Sequence, residues 1–209
     1  MGGVLSGTVI TTWGIMALLM GSLYFLGRDF ERAPVDRPPG PLQNAVELAI
    51  EGVAWLVEGT MGKERMGFLP YIGTLSFYLL VANLVGLVGI TPPTSDLNTT
   101  LALASITFVN IQYYGLRRKG LKNYLKGFIE PIPLLLPLNI ISEIALPFSM
   151  AFRLFGNMLG GVIIMGLLYR FAPILVPVLP HLYFDIFAGI IQTFIFVMLT
   201  MTFISVALD

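Results

Sequence analysis

Arg153 stands in PFSMAFRLFGNMLGGVIIMGLLY, a segment otherwise apolar and small in both directions; between Pro131 and Tyr169 the only other ionisable side chain is Glu143. An arginine at the centre of a bilayer helix costs about 2.5–3.5 kcal/mol on insertion scales, so a functional role is the default expectation. It should face a bundle interior, a water cavity or a partner carrying negative charge. Asn157 lies four residues on and shares its helical face, with Gly156, Gly160 and Gly161 on the neighbouring surface. That surface is polar and flat, and the spacing of Gly156 and Gly160 suits close helix approach. Near the carboxyl end, Asp185 and Gln192 are seven apart, hence on one face, with Gly189 between them. Two antiparallel neighbours would place Arg153 beside Gln192. Asp185 is either part of that polar face or a residue that ends its helix at the surface.

Other polar residues in apolar surroundings have simpler readings. Asn83, Asn110 and Gln112 suit interhelical hydrogen bonds, with a direct role as the alternative. Asp96, in TPPTSDLNTT, either caps the next helix or lines a vestibule. His181, the single histidine, falls at a turn beside Pro180; one histidine cannot make a zinc site, and without cysteine there are no disulfides or thiolate metal sites.

Such residues need spanning helices to hold them, and the composition supplies them. Of 209 residues 56% are hydrophobic and 11% charged, with a mean hydropathy of +0.84, far from the roughly 25% charged of soluble chains. The chain is expected to be an all-α integral membrane protein with about five spanning helices and one amphipathic surface helix. Charge-free runs at Met1–Gly27, Met66–Ser95, Leu97–Leu116 and Ile186–Leu208 are each near or above the roughly 20 residues a crossing needs. The first lacks a basic leader and a small-x-small cleavage site, so it reads as a retained helix rather than a signal. The stretch Pro131–Tyr169 is too long for one upright span; its Pro131, Pro133, Pro137 and Pro147 suit one long tilted helix or two short ones. Leu42–Gly59 follows three prolines and gathers Glu47, Glu51 and Glu58 on one face, away from Val46, Ile50, Val53 and Val57. It reads as a helix lying on the membrane rather than a sixth span.

All but two of the twelve basic residues fall in two hydrophilic segments, Arg28–Arg65 and Arg117–Lys126. Under the positive-inside rule both are cytoplasmic, with the amino terminus and the Thr91–Asn98 turn outside and Asp209 at the cytoplasmic surface. Net charge is zero, so nothing favours nucleic acid.

RLFGNMLGG at Arg153–Gly161 and DIFAGIIQTFIFVMLTMTFISVA at Asp185–Ala207 resemble subunit a of the F-type ATP synthase. NLVGLVGITPPTSDLNTTLALA resembles that family's turn between its third and fourth helices, PLNIISEIALPFSMAFRLFGN the approach to its essential arginine, and PGPLQNAVELAIEG its surface helix. The resemblance implies one membrane domain over 1–209: a spanning helix at 1–27, the surface helix at 42–59, a spanning hairpin at 68–116, and a tilted pair at 131–208 facing a ring of c subunits. It implies a non-nucleotide-binding stator that couples proton or sodium translocation to ring rotation and ATP synthesis. Its partners would be the c-ring, a b-type peripheral stalk, the F1 headpiece and the lipid of a bacterial inner membrane, with no cofactor and no metal.

By resemblance Arg153 faces the ring carboxylate, and Asn157, Asp185, Gln192, Glu143 and Ser149 belong to the ion pathway, with Asp96 and Ser142 weaker candidates. Glu143 would line the inner half-channel. Many family members carry a carboxylate or histidine nine residues after the arginine. Here that position is Val162, which leaves the outer half-channel to Asp185. The alternative class is a stand-alone secondary transporter or channel, but no internal repeat is visible. A membrane-embedded enzyme would need convergent catalytic groups that the sequence lacks.

Overall fold

The computed structural model describes residues 7–32, 40–129, 133–171, 180 and 182–208. The described chain is all-α. Helix α1 covers Gly7–Arg32, α2 Pro41–Met61, α3 Leu69–Leu84, α4 Leu97–Ile129, α5 Leu136–Phe171 and α6 Gly189–Leu208, the last preceded by a π-helical turn at Leu182–Ala188. Short 3-10 turns join α2 to α3 at Lys63–Phe68 and α3 to α4 at Val85–Val88 and Pro93–Ser95.

Four helical stretches among the described residues are long and apolar enough to cross a membrane: Gly7–Phe25, Lys63–Val88, Leu136–Arg170 and Leu182–Leu208. The fifth expected span, Leu97–Leu116, is helical as part of α4, but its Asn, Thr and Gln side chains leave it less apolar than these four. It packs on α5 and α6, and its Thr107 meets Tyr71 of α3 at 3.1 Å.

The stretch that could have been one helix or two is continuous from Leu136 to Phe171, 36 residues with Pro147 inside. At 1.5 Å per residue it is about 54 Å long, well beyond the roughly 30 Å of a hydrocarbon core. Pro147 has no N–H for the carbonyl four residues back, so Glu143 loses its intrahelical backbone partner at that point.

The basic segment Arg117–Lys126, expected to be a hydrophilic loop, is helical. Its Leu, Lys and Arg residues are good helix formers, and the chain bends within it at Gly120, where φ is 73° and a side chain would be strained.

Helix α6 packs against α2, α3, α4 and α5. Phe196, Met201 and Ile204 are buried there against Ile72 and Leu79 of α3, Val57 of α2 and Leu154 of α5. In a bilayer such contacts hold by shape and van der Waals attraction, because lipid is as apolar as leucine. The end of α6 is held by cations from both basic segments: Arg65 donates to the Ser205 carbonyl at 3.4 Å and to its hydroxyl, and Lys119 to the Val206 carbonyl at 3.4 Å. Positive groups on the last carbonyls of a helix satisfy them and oppose its dipole.

Candidate ion-path site

Helix α5 divides its residues cleanly between two faces. Met150, Ala151, Leu154, Met158, Gly161 and Met165 are buried, whereas Phe152, Arg153, Gly156 and Asn157 are exposed. Among the described residues, nothing beyond the backbone of α5 itself lies within 4 Å of where a Cβ would stand on Gly156 or Gly160. Gly156 and Gly160, on the flat surface expected beside Arg153, are therefore not used to pack the described helices, whereas Gly161 is buried against Phe184. Arg153 itself makes no hydrogen bond or ion pair with a described residue.

One turn on, the Asn157 amide donates to the Gln192 Oε1 at 2.6 Å, which fixes α5 against α6 at the level of the arginine. Gln192 is 2% exposed, and its amide nitrogen has no partner among the described residues. A buried donor left unpaired costs about 1–3 kcal/mol.

Beyond Gln192, α6 is pinned by a network that sequence reading treated only as general helix glue. Asn83, fully buried on α3, donates to the Gly189 carbonyl at 3.2 Å and to the Thr193 hydroxyl at 3.0 Å, and accepts from Thr94 at 2.7 Å. A Cβ on Gly189 would lie 3.3 Å from that of Asn83, so the glycine allows the approach. No sequence periodicity signals this junction, because its members are 11 to 110 residues apart.

Asp185 lies in the π-helical turn, half-buried. There i→i+5 bonds replace i→i+4 ones, so its seven-residue interval to Gln192 is no longer two α-helical turns. Its Oδ1 stands 3.0 Å from where a Cβ on Gly86 would be, so the carboxylate rests on bare backbone at the end of α3. The preceding residue, Phe184, is what meets α5, its Cβ 3.3 Å from a Cβ built on Gly161. Val162, next along, is 37% exposed. Asp96 caps α4: its Oδ1 accepts from the Asn98 backbone N–H at 2.9 Å and its Oδ2 from the Thr8 hydroxyl of α1 at 2.9 Å. His181 lies outside the described residues.

At the other end of α5 an open cavity of about 440 Å³ lies among α4, α5 and α6. Glu143 and Ser142 line it from α5, Lys119 and Tyr124 from α4, and Phe203 and Val206 from α6. Glu143 accepts from the Gln112 side-chain amide, whose oxygen in turn accepts from the Tyr124 hydroxyl. The Tyr124 phenol is pushed above its ordinary value, first by burial and then by the negative charge of Glu143. Ser149 is exposed between this cavity and Arg153 and is not a lining residue. Tyr124 was not read as a site residue from sequence, and Gln112 was read as an interhelical hydrogen-bonding residue with a direct role as the alternative. The only available signal was a glutamine in an apolar span.

Residues 9–205 match the family model described as ATP synthase A chain. The "ATP synthase subunit a 2" of a Bradyrhizobium strain is 41% identical over 95% of this chain and 87% of its own length. "ATP synthase subunit a" of Moorella thermoacetica is 37% identical over 95% of this chain and 88% of its own. "ATP synthase subunit a, sodium ion specific" of Propionigenium modestum is also 37% identical, over 95% of this chain and 72% of its own.

Proposed function

The chain belongs to the ATP synthase A chain family, and from that premise we propose that it is the membrane stator through which ions reach and leave a turning c-ring. As a non-catalytic, multi-pass membrane subunit of a rotary complex it binds no nucleotide; its work is electrostatic. The observation that carries the reading is Arg153: a permanent cation on an uncovered, flat face of α5, without a partner among the described residues, one turn from a hydrogen bond that fixes α5 to α6. A charge kept in a bilayer without a partner among the described residues of its own chain is suited to pairing with another one.

The partner is the carboxylate of a ring subunit. Arginine stays ionised even when desolvated, so it favours the ionised ring site as that site passes, and thereby releases the bound ion. The same cation bars an ion from slipping directly between the two sides. Gly156 and Gly160 let the ring helix come close to the α5 backbone, and the orphan amide of Gln192 holds water beside the arginine. Ions enter past Asp185, where one carboxylate does the work that two groups share in relatives with an ionisable residue at the position of Val162. They leave through the cavity at Glu143, Ser142 and Lys119. The ion is a proton or a sodium ion.

The membrane is the inner membrane of a bacterium, with the peripheral stalk and headpiece on the side of the two basic segments. That topology is supported by the meeting of Arg65 and Lys119 at one end of α6. Each charge crossing 100 mV supplies about 2.3 kcal/mol, so several must cross for each ATP. The test is ATP synthesis by vesicles carrying the assembled synthase. Arg153→Ala should reduce ion-driven synthesis to the level of uncoupled membranes while the subunit remains inserted and the headpiece still hydrolyses ATP. Substantial synthesis by a fully assembled mutant would overturn the assignment.

A further inference from the structure

The cavity at Glu143 is closed on one side by residues from beyond the Gly120 bend, and these carry a relay that the ion path as described does not use. The Gln112 amide nitrogen donates to Glu143, and the Tyr124 hydroxyl donates to the Gln112 amide oxygen. A primary amide has one donor end and one acceptor end, whereas a carboxylate only accepts. The Tyr124 hydroxyl therefore selects which end of Gln112 meets Glu143. While it occupies the amide oxygen, the NH2 group faces the carboxylate. Without it the amide is free to turn and set a carbonyl oxygen against a negative charge.

Tyr124 is itself held independently of Gln112. Its ring meets Phe128 edge-on at a centroid distance of 5.4 Å and lies 3.4 Å from where a Cβ on Gly115 would stand. The Phe128 carbonyl accepts from Asn139 of α5 at 2.9 Å, which ties this part of α4 to the helix that bears Glu143. Residues twelve apart on a straight helix are about 18 Å from each other. The positive φ of Gly120 is what folds Tyr124 back onto Gln112. Lys119 also faces the cavity, but its ammonium donates to the Val206 carbonyl, and α6 presents the apolar Phe203 and Val206 there.

We propose that Gln112 and Tyr124 are positioning residues for ion transfer at Glu143: Tyr124 fixes the orientation of the Gln112 amide, and Gln112 holds the carboxylate toward the cavity. The inference rests on the reading of Glu143 as an ion-path residue. It adds two residues, on another helix, that decide how well Glu143 performs.

The experiment uses inverted vesicles carrying the whole synthase and follows ATP-driven ion uptake as pH, and separately sodium concentration, is varied on the headpiece side. Tyr124→Phe keeps the ring and removes only the hydroxyl. It should raise the apparent KM for the pumped ion about three- to tenfold, the worth of one hydrogen bond, and leave the maximal rate within about twofold. Gln112→Leu should do the same or more; should it fail to assemble, Tyr124→Phe carries the test alone. In a Glu143→Gln background, Tyr124→Phe should add nothing, because the group it positions is gone. An unchanged apparent KM in Tyr124→Phe, or effects that multiply with those of Glu143→Gln, would overturn the proposal while leaving Glu143 in the ion path. Unaltered uptake in Glu143→Gln alone would instead remove Glu143 from the path, and this inference with it.

Discussion

Glu143 and Arg153, two charged residues of α5, occupy opposite surroundings. Glu143 is served by its own chain: Gln112 donates to it, Tyr124 holds Gln112, and three helices enclose the cavity beside it. Arg153, ten residues and about 15 Å further along the same helix, stands on a face that no described helix covers. Under the proposed function, the difference separates two tasks along one helix. A group that exchanges ions with water needs a fixed orientation and an opening, which intrachain partners provide. A group that acts on a moving partner must not be saturated by its own chain, since an internal ion pair would compete with each passing ring site.

The comparison is broken most severely at Arg153. Beyond the loss of synthesis, Arg153→Ala should let ions pass between the two sides without rotation, seen as increased passive flux through vesicles stripped of headpieces. Flux that stays low and fully coupled to rotation would show that the cation is not the barrier. Next comes Asp185. If it is the sole carboxylate of the entry path, Asp185→Asn should slow ion-driven ATP synthesis by about a hundredfold in a proton enzyme, the lower end of what a positioned proton-transfer group contributes. The loss should be smaller for sodium, because an amide can still ligate a cation but cannot carry a proton by changing charge.

Adding Val162→Glu to Asp185→Asn should recover part of that rate. Phe184 beside Asp185 already meets Gly161 beside Val162, so the two positions adjoin one helix contact. Normal synthesis in Asp185→Asn alone would reduce Asp185 to a helix-end residue. A gentler perturbation of the same site is Gly86→Ala, whose Cβ would stand 3.0 Å from the Asp185 carboxylate. Displacing that carboxylate should lower the rate of synthesis several-fold without loss of the assembled complex, as judged by subunit content.

The smallest effect is expected at Asp96. Both of its oxygens are already engaged, with the Asn98 N–H and the Thr8 hydroxyl. Its removal should cost about 1 kcal/mol of stability, as for a typical helix cap, and leave ion-driven synthesis close to normal. A thermal-stability assay of Asp96→Ala in detergent, paired with vesicle synthesis, separates the two. A large loss of synthesis at unchanged stability would move Asp96 into the ion path.

Much of the α5 and α6 site was legible because it is local. Arg153 and Asn157 share a face through helical spacing alone, and an antiparallel partner supplies Gln192, close to the observed Asn157–Gln192 bond. A helix over this stretch was legible from its carboxylate stripe and from the prolines beside it, and α2 begins at Pro41. The residues that escaped are those brought together by departures from regular geometry. Gln112 reaches Glu143 across 31 positions in the chain, and Tyr124 reaches Gln112 only because α4 bends at Gly120 within a segment whose charge suggested a loop. Asn83 was recognised as a hydrogen-bonding residue, but its partners Thr94, Thr193 and Gly189 were not foreseen.

The amino-acid sequence by itself determined that the chain lives in a bilayer, that its elements are helices and that Arg153 is a charge set among apolar residues. Those follow from transfer free energies and from helical periodicity, which depend on residue type and spacing alone. Only the tertiary structure decided that Asp185 sits in a π-helical turn against Gly86, that Tyr124 meets Gln112 and Gln112 meets Glu143, and that the described helices leave the Arg153 face uncovered. A bend, a bulge or an uncovered face is set by how distant helices compete for the same space, and no local pattern of residues contains that information.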